Sequence, residues 1–171
     1  MALPTFLPGR VKASDLNAVV TDLSTADTNI ASLQTLTAAL PMYVNSSQVT
    51  SNSSTFTTAE TELQTVTCTL VNAKSYLVMW EPKFQSSVTG DEVRANIHVT
   101  NISGTQLQAV QFTAAPAGSM GRGGIVFAIY TAAASGSLTF SLSALRTSGS
   151  GNIQMNAASD RPCVALVLRL T

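Results

Sequence analysis

Side chains able to do chemistry are few in this sequence, and they are scattered. The single histidine, His98, lies in "VRANIHV" at 93–99, where alternation puts it with Arg94 and Asn96 on the polar, solvent-facing side of a strand. Asp91 and Glu92 are adjacent carboxylates. Successive strand residues point to opposite faces, so they make a poor acid–base dyad, and their place in "TGDEV" suits turn capping. The glycine-rich "GSMGRGG" at 118–124 has the composition of a phosphate loop but lacks the Gly-Lys-Ser/Thr ending. The "IVFAIY" that follows reads as a strand, where phosphate binding needs a helix N-terminus. A loop at one end of the fold is expected instead, with Arg122 placed to touch a neighbouring subunit or a ligand.

The remaining chemistry is absent. There is no HExxH, CxxC or histidine cluster to ligate a metal, and no GxSxG elbow or serine-centred triad. Cys68 and Cys163 fall in different predicted strands. "MALPTFLPGR" is interrupted by Pro4 and Pro8 and offers no apolar signal segment, so the two thiols are expected unpaired and partly buried. The expectation is therefore no catalytic residue, no cofactor and no metal. A structural or binding role is favoured over an enzyme.

Composition points the same way. Only 11% of the 171 residues are charged, nine basic against nine acidic, while 45% are hydrophobic. A neutral chain has no electrostatic footprint for nucleic acid, and no run is long enough to span a membrane as a helix. Hydrophobicity this high with no net charge disfavours disorder. So few charges suit a surface covered in part by neighbouring copies.

Three regions separate by pattern. Residues 1–13, with their prolines, are expected to be extended. Residues 14–41 form a helical segment. With Leu16 at position a of a heptad, the a series is Leu16, Leu23, Ile30 and Thr37, and the d series is Val19, Ala26, Leu33 and Leu40. Seven of these eight are apolar, a seam with a 3.5-residue period. Ser14 suits the N-cap, and Pro41 ends the helix by disfavouring helical backbone at Leu40. From about residue 48 to 171 the period becomes two. Strands are expected at 63–70, 76–84, 93–99, 106–112, 124–131, 138–144, 152–156 and 164–170, with Ile153, Met155, Val164, Leu166, Leu168 and Leu170 facing inward. Eight short strands separated by turn signals indicate a mainly β fold, an antiparallel sandwich of the jelly-roll kind, with a barrel as the alternative.

The helix is rich in Ser and Thr, which are weak formers, so its apolar stripe must be buried. Its own sandwich or further copies of itself could cover it, and the sustained heptad favours copies. The seam residues Leu16, Val19, Leu23, Ala26, Ile30, Leu33 and Leu40 are the expected oligomerisation contacts. Mixed a and d residues leave dimer and trimer open. Val20 at e and Leu36 at g widen the stripe, which suits a trimer. Asp22 at g and Asp27 at e would face one another with no basic partner, which counts against a tight parallel bundle.

"TFLPGRVKASDLNAVVTDL" at 5–23 is similar to the opening of small virion proteins of tailed phages, particularly those infecting actinobacteria. There a Thr-Phe-x-x-Gly start leads through Ala-x-x-Leu-Asn into a helix. "YLVMW" at 76–80, "SSVTGDEVRANI" at 86–97 and "SGTQLQ" at 103–108 resemble the β-sandwich domain that follows in such proteins. The resemblance implies a non-enzymatic minor tail, fibre or spike protein. It would be a homotrimer held to other virion proteins, of tail or capsid, through an N-terminal anchor that includes Pro4, Phe6, Pro8 and Arg10. The β domain would project outward. A capsid decoration or head-fibre protein uses the same parts, and a head binding a host cell-surface glycan is a further alternative. Either way the expected location is the virion, assembled in the host cytoplasm.

Overall fold

The computed structural model describes residues 13–39 and 42–170, and side chains within 17–33 and 42–170. It divides into two units, residues 1–40 and 41–171. The expected anchor at Pro4, Phe6, Pro8 and Arg10 lies outside the described residues, as does Leu40; the side chain of Leu16 does too.

The described residues of the first unit form one helix, α1 (Ala13–Ala39). Thr21, Thr25, Thr28 and Ser32 each donate a side-chain hydroxyl to the carbonyl four residues back, at 2.9–3.0 Å. In the heptad they occupy f and c, opposite the apolar seam. Four of the five hydroxyl side chains described on the helix are thus satisfied within it, on a face that carries few charges.

The second unit contains, in chain order, β1 (Met42–Val49), β2 (Thr61–Leu70), β3 (Ser75–Glu81), β4 (Lys83–Ser86), β5 (Glu92–Val99), β6 (Gln106–Thr113), β7 (Ala115–Pro116), β8 (Arg122–Gly123), β9 (Val126–Thr131), β10 (Gly136–Ser148), β11 (Ile153–Met155) and β12 (Cys163–Arg169). Two four-stranded antiparallel sheets run β1-β12-β3-β9 and β2-β10-β5-β6. Numbering only these eight strands along the chain, the orders are 1-8-3-6 and 2-7-4-5. That winding, in which each sheet takes strands from both halves of the chain, is a jelly roll.

The four connections at one end of the sandwich are long and build a third, small sheet, β11-β4-β7, with β8 also on β4. A bridge between Phe56 and Ile153 ties in the β1–β2 connection. At the other end the connections are tight: Ala73 and Asn72 donate to Ala132 and Ser135, and Leu170 returns to Ser75. The chain therefore enters β1 and leaves β12 at the plain end, away from the elaborated loops.

The core lies between the two main sheets. Trp80, Tyr76, Phe84, Phe140, Ile97 and Leu142 are its largest fully buried side chains. Trp80 and Phe84 meet edge to face with ring centroids 6.1 Å apart, and Phe56 meets Phe84 at 6.3 Å. Burying each such side chain contributes about 1.5–3 kcal/mol.

Several expectations change. The β domain begins at Met42, not near 48, because "MYVNSSQV" is an edge strand with weak alternation whose only partner is β12. The expected strand 76–84 is two strands in different sheets. Pro82 has no N–H to donate, so the ladder breaks after Glu81 and Lys83 starts anew. The expected strand 152–156 is the short β11, which belongs to the small sheet rather than the sandwich. In β12 the inward face is Cys163, Ala165 and Val167, all fully buried, and not Val164, Leu166 and Leu168. The strand is apolar on both faces, so alternation could not choose, and the smaller set fits between the large aromatics of β3 and β4.

Candidate functional site

One cluster has the residue types of an active site. On the face of β2-β10-β5-β6 turned away from the core, Ser141 pairs with His98 and Ser143 with Asn96. All four side chains are buried, which corrects the expectation of a solvent-facing histidine. Glu60, just before β2, reaches over them. Its Oε1 accepts hydrogen bonds from Ser143 Oγ at 2.5 Å, Asn96 Nδ2 at 2.7 Å and His98 Nε2 at 2.8 Å. Ser141 Oγ donates to Glu62.

Serine, histidine and glutamate are together, but their wiring is wrong for nucleophilic catalysis. A triad needs the histidine between the serine and the carboxylate, with one ring nitrogen free to take the serine proton. Here Ser143 donates to the carboxylate directly. The other ring nitrogen, His98 Nδ1, faces the Gly104 carbonyl at 3.2 Å, so both nitrogens meet acceptors. Burial pushes the Glu60 carboxyl up, yet the hydrogen bonds from Ser143, Asn96 and His98 and the charge of His98 outweigh it and leave it below the usual range. The arrangement fastens the pre-β2 segment to the sheet. Sequence reasoning missed it because Glu60 sits in a segment without periodicity.

Asp91 is likewise structural. Its carboxylate accepts from Ser86 Oγ at 2.6 Å and from the backbone N–H groups of Gly151 at 2.8 Å and Ser150 at 3.1 Å. The turns "TGD" at 89–91 and "SGSG" at 148–151 are thus the two halves of one joint at the elaborated end. Glu92, on the neighbouring strand position, accepts from Gln111 instead. Among the described residues no three His, Cys, Asp or Glu side chains are grouped to hold a metal, and no helix is long and apolar enough to cross a membrane.

What remains are surfaces. At the elaborated end a polar cleft of about 190 Å³ is lined by Thr55, Gln85, Ser87, Asn152 and Gln154 among others. Its amides are held by one another: Gln85 donates to Gln154 at 2.8 Å and Asn156 to Gln85 at 3.0 Å. The loop at 118–124 lies at this end, with Arg122 exposed in β8. On α1 the seam residues Val19, Leu23, Ala26, Ile30 and Leu33 are all exposed, Leu23 by 65%. On the outer face of β12-β3-β9, Phe127 and Ile129 are exposed by 54% and 63%.

No family model and no curated protein matches the chain. Solved structures resemble it in fold. The VP2 subviral particle of infectious bursal disease virus aligns at a TM-score of 0.38 with 14% identity, over 75% of this chain and 36% of that one. The C-terminal CBM6 of LamC, a laminarinase from Zobellia galactanivorans, aligns at 0.34 with 14% identity, over 74% of this chain and 98% of that one. The Eiger TNF from S. frugiperda aligns at 0.39 with 11% identity, over 75% and 94%. The chain spans about a third of the length of the viral protein. The jelly roll rests on strand order.

Proposed function

We propose that the chain is a non-enzymatic structural protein of a bacteriophage particle, a homotrimer joined by α1. Residues 1–13 would fasten it to the virion, and the jelly roll forms the head. The observation that carries this reading is the exposed heptad seam. Val19, Leu23 and Ile30 are 60%, 65% and 52% exposed on a helix whose opposite face spends its hydroxyls on its own carbonyls. An isolated helix of this composition is marginal in water, and neighbouring copies supply the burial it lacks. The wiring of Glu60, His98 and Ser143 supports a role without catalysis. The resemblance of residues 5–23 to tailed-phage virion proteins supplies the setting.

The full chain should sediment as a trimer, and Leu23→Asp with Ile30→Asp should yield monomers. An unchanged mass in the double variant defeats the coiled coil. Labelled antibody on intact particles separates a tail, fibre or spike position from capsid decoration. Deleting residues 1–13 should abolish incorporation while leaving the soluble oligomer intact.

The amide-lined cleft favours one second reading, a head that binds a host-surface glycan. Hydroxyl-rich ligands match its Gln, Asn and Thr lining. Retention of the purified chain on host cell walls, lost in Gln85→Ala with Asn152→Ala, would support it.

A further inference from the structure

The two outer faces of the sandwich differ sharply. That of β2-β10-β5-β6 is polar, with Thr65 and Thr67 exposed and Ser141, Ser143, Asn96 and His98 buried beside Glu60 and Glu62. That of β12-β3-β9 presents Leu77, Met79, Phe127, Ile129, Leu166 and Leu168 in mutual register: Met79 pairs with Phe127 and Leu166, and Leu77 with Ile129 and Leu168. These strands also bury Val78, Trp80, Val126, Ala165 and Val167 on the core side. Three adjacent strands are therefore apolar on both faces, the pattern of a sheet covered on both sides.

We infer that this face is a second interface between copies of the chain, through which the heads pack. The inference deepens the proposed oligomer and rests on it. Three features select another copy as the occupant. The centre of the face carries no charge, while Tyr43, Ser46, Gln48 and Glu81 rim it, the distribution of a protein interface. It holds both parts of a self-complementary contact. Phe127 and Ile129 stand out from β9, and a hollow of about 140 Å³ lies among Met79, Trp80, Ile125, Val164 and Leu166, with Glu81 at its edge. Such a knob and hole on one surface suit head-to-tail contacts that close into a ring. Finally, only residues 40 and 41 separate α1 from β1, the edge strand of the same sheet. Three residue steps span at most roughly 11 Å, so joined helices hold the heads at millimolar effective concentration.

The test uses the full chain with Ile129→Cys, labelled by a charged maleimide, against Thr65→Cys on the polar sheet. Slow labelling at 129 in an oligomer, restored to the Thr65→Cys rate in the Leu23→Asp, Ile30→Asp background, supports the inference. Phe127→Thr with Ile129→Lys should raise the dissociation constant of the oligomer about tenfold or more, with the circular dichroism of the head unchanged. Equal labelling at both positions in a helix-joined oligomer overturns the head interface and leaves the coiled coil standing. Slow labelling at 129 in a monomer overturns it as well, because the chain then covers the face itself. If the helix variant keeps its mass and the face variant loses it, the coiled coil fails and the head interface stands.

Discussion

Trp80 Nε1 donates to Gln64 Oε1 at 2.9 Å, a hydrogen bond between the two main sheets with both side chains buried. Gln64 passes the link on, donating to the carbonyl and hydroxyl of Ser47 on β1 at 2.9 Å. One amide thus joins three strands across the sandwich. Trp80→Phe should cost about 2–4 kcal/mol in urea unfolding, combining a cavity with an unpaired buried oxygen. Gln64→Met in that background should cost less than it does alone, because the two side chains share one bond.

Glu60 is the hub of the polar cluster. Glu60→Leu should destabilise the head by about 3–5 kcal/mol, because the Asn96, His98 and Ser143 donors are left buried without an acceptor. Glu60→Gln keeps an oxygen there and should cost clearly less. If Leu and Gln prove equivalent by thermal unfolding, the hydrogen bonds contribute little.

Acid should loosen the elaborated end. The hydrogen bond from Ser86 outweighs burial and, with the Gly151 and Ser150 amides and the Arg146 charge, holds the Asp91 carboxyl below its usual range. A carboxyl whose folded value is depressed stabilises fully above its unfolded value, about 4, and loses that contribution as pH falls through the folded value. Glu60 acts in the same direction. Stability should therefore be flat above about pH 5 and fall toward pH 3, and Asp91→Asn should flatten that fall while lowering stability at neutral pH by about 2–3 kcal/mol.

Gly149 offers an independent probe of the same joint. It has φ +91°, and a Cβ there would run into the Asp91 carboxylate. Gly149→Ala should destabilise at every pH, by more than the roughly 1 kcal/mol typical of a glycine in a relaxed turn. Denaturation at pH 7 and pH 4 would show the loss at both.

Cys68 and Cys163 are both unpaired and buried, and burial raises both thiols. For Cys163 the nearby Lys83 offsets this only in part. Neither should react with a thiol reagent at neutral pH until the head unfolds, so labelling rates should follow the denaturant midpoint.

Legibility in the sequence tracked locality. Strands β5 and β10 alternate cleanly, and their inward residues Val93, Ala95, Ile97, Phe140, Leu142 and Ala144 are fully buried as expected. What escaped depended on distant partners: β1, visible only through β12; the inward face of β12, where both sides are apolar; and Glu60, whose importance lies in strands 36 to 83 residues away. No part of the Glu60 cluster could be read as a site, because its types suggest catalysis and only its wiring excludes it.

The pairing of β1 with β12 has a consequence during synthesis. Val49 pairs with Cys163, 114 positions later. At 5–20 residues per second the first strand waits roughly 6–23 seconds for its partner to be made. Leu166 and Leu168, at the centre of the apolar outer face, arrive with that last strand. A ribosome-bound chain thus exposes its helix early and completes the apolar outer face of β12-β3-β9 last.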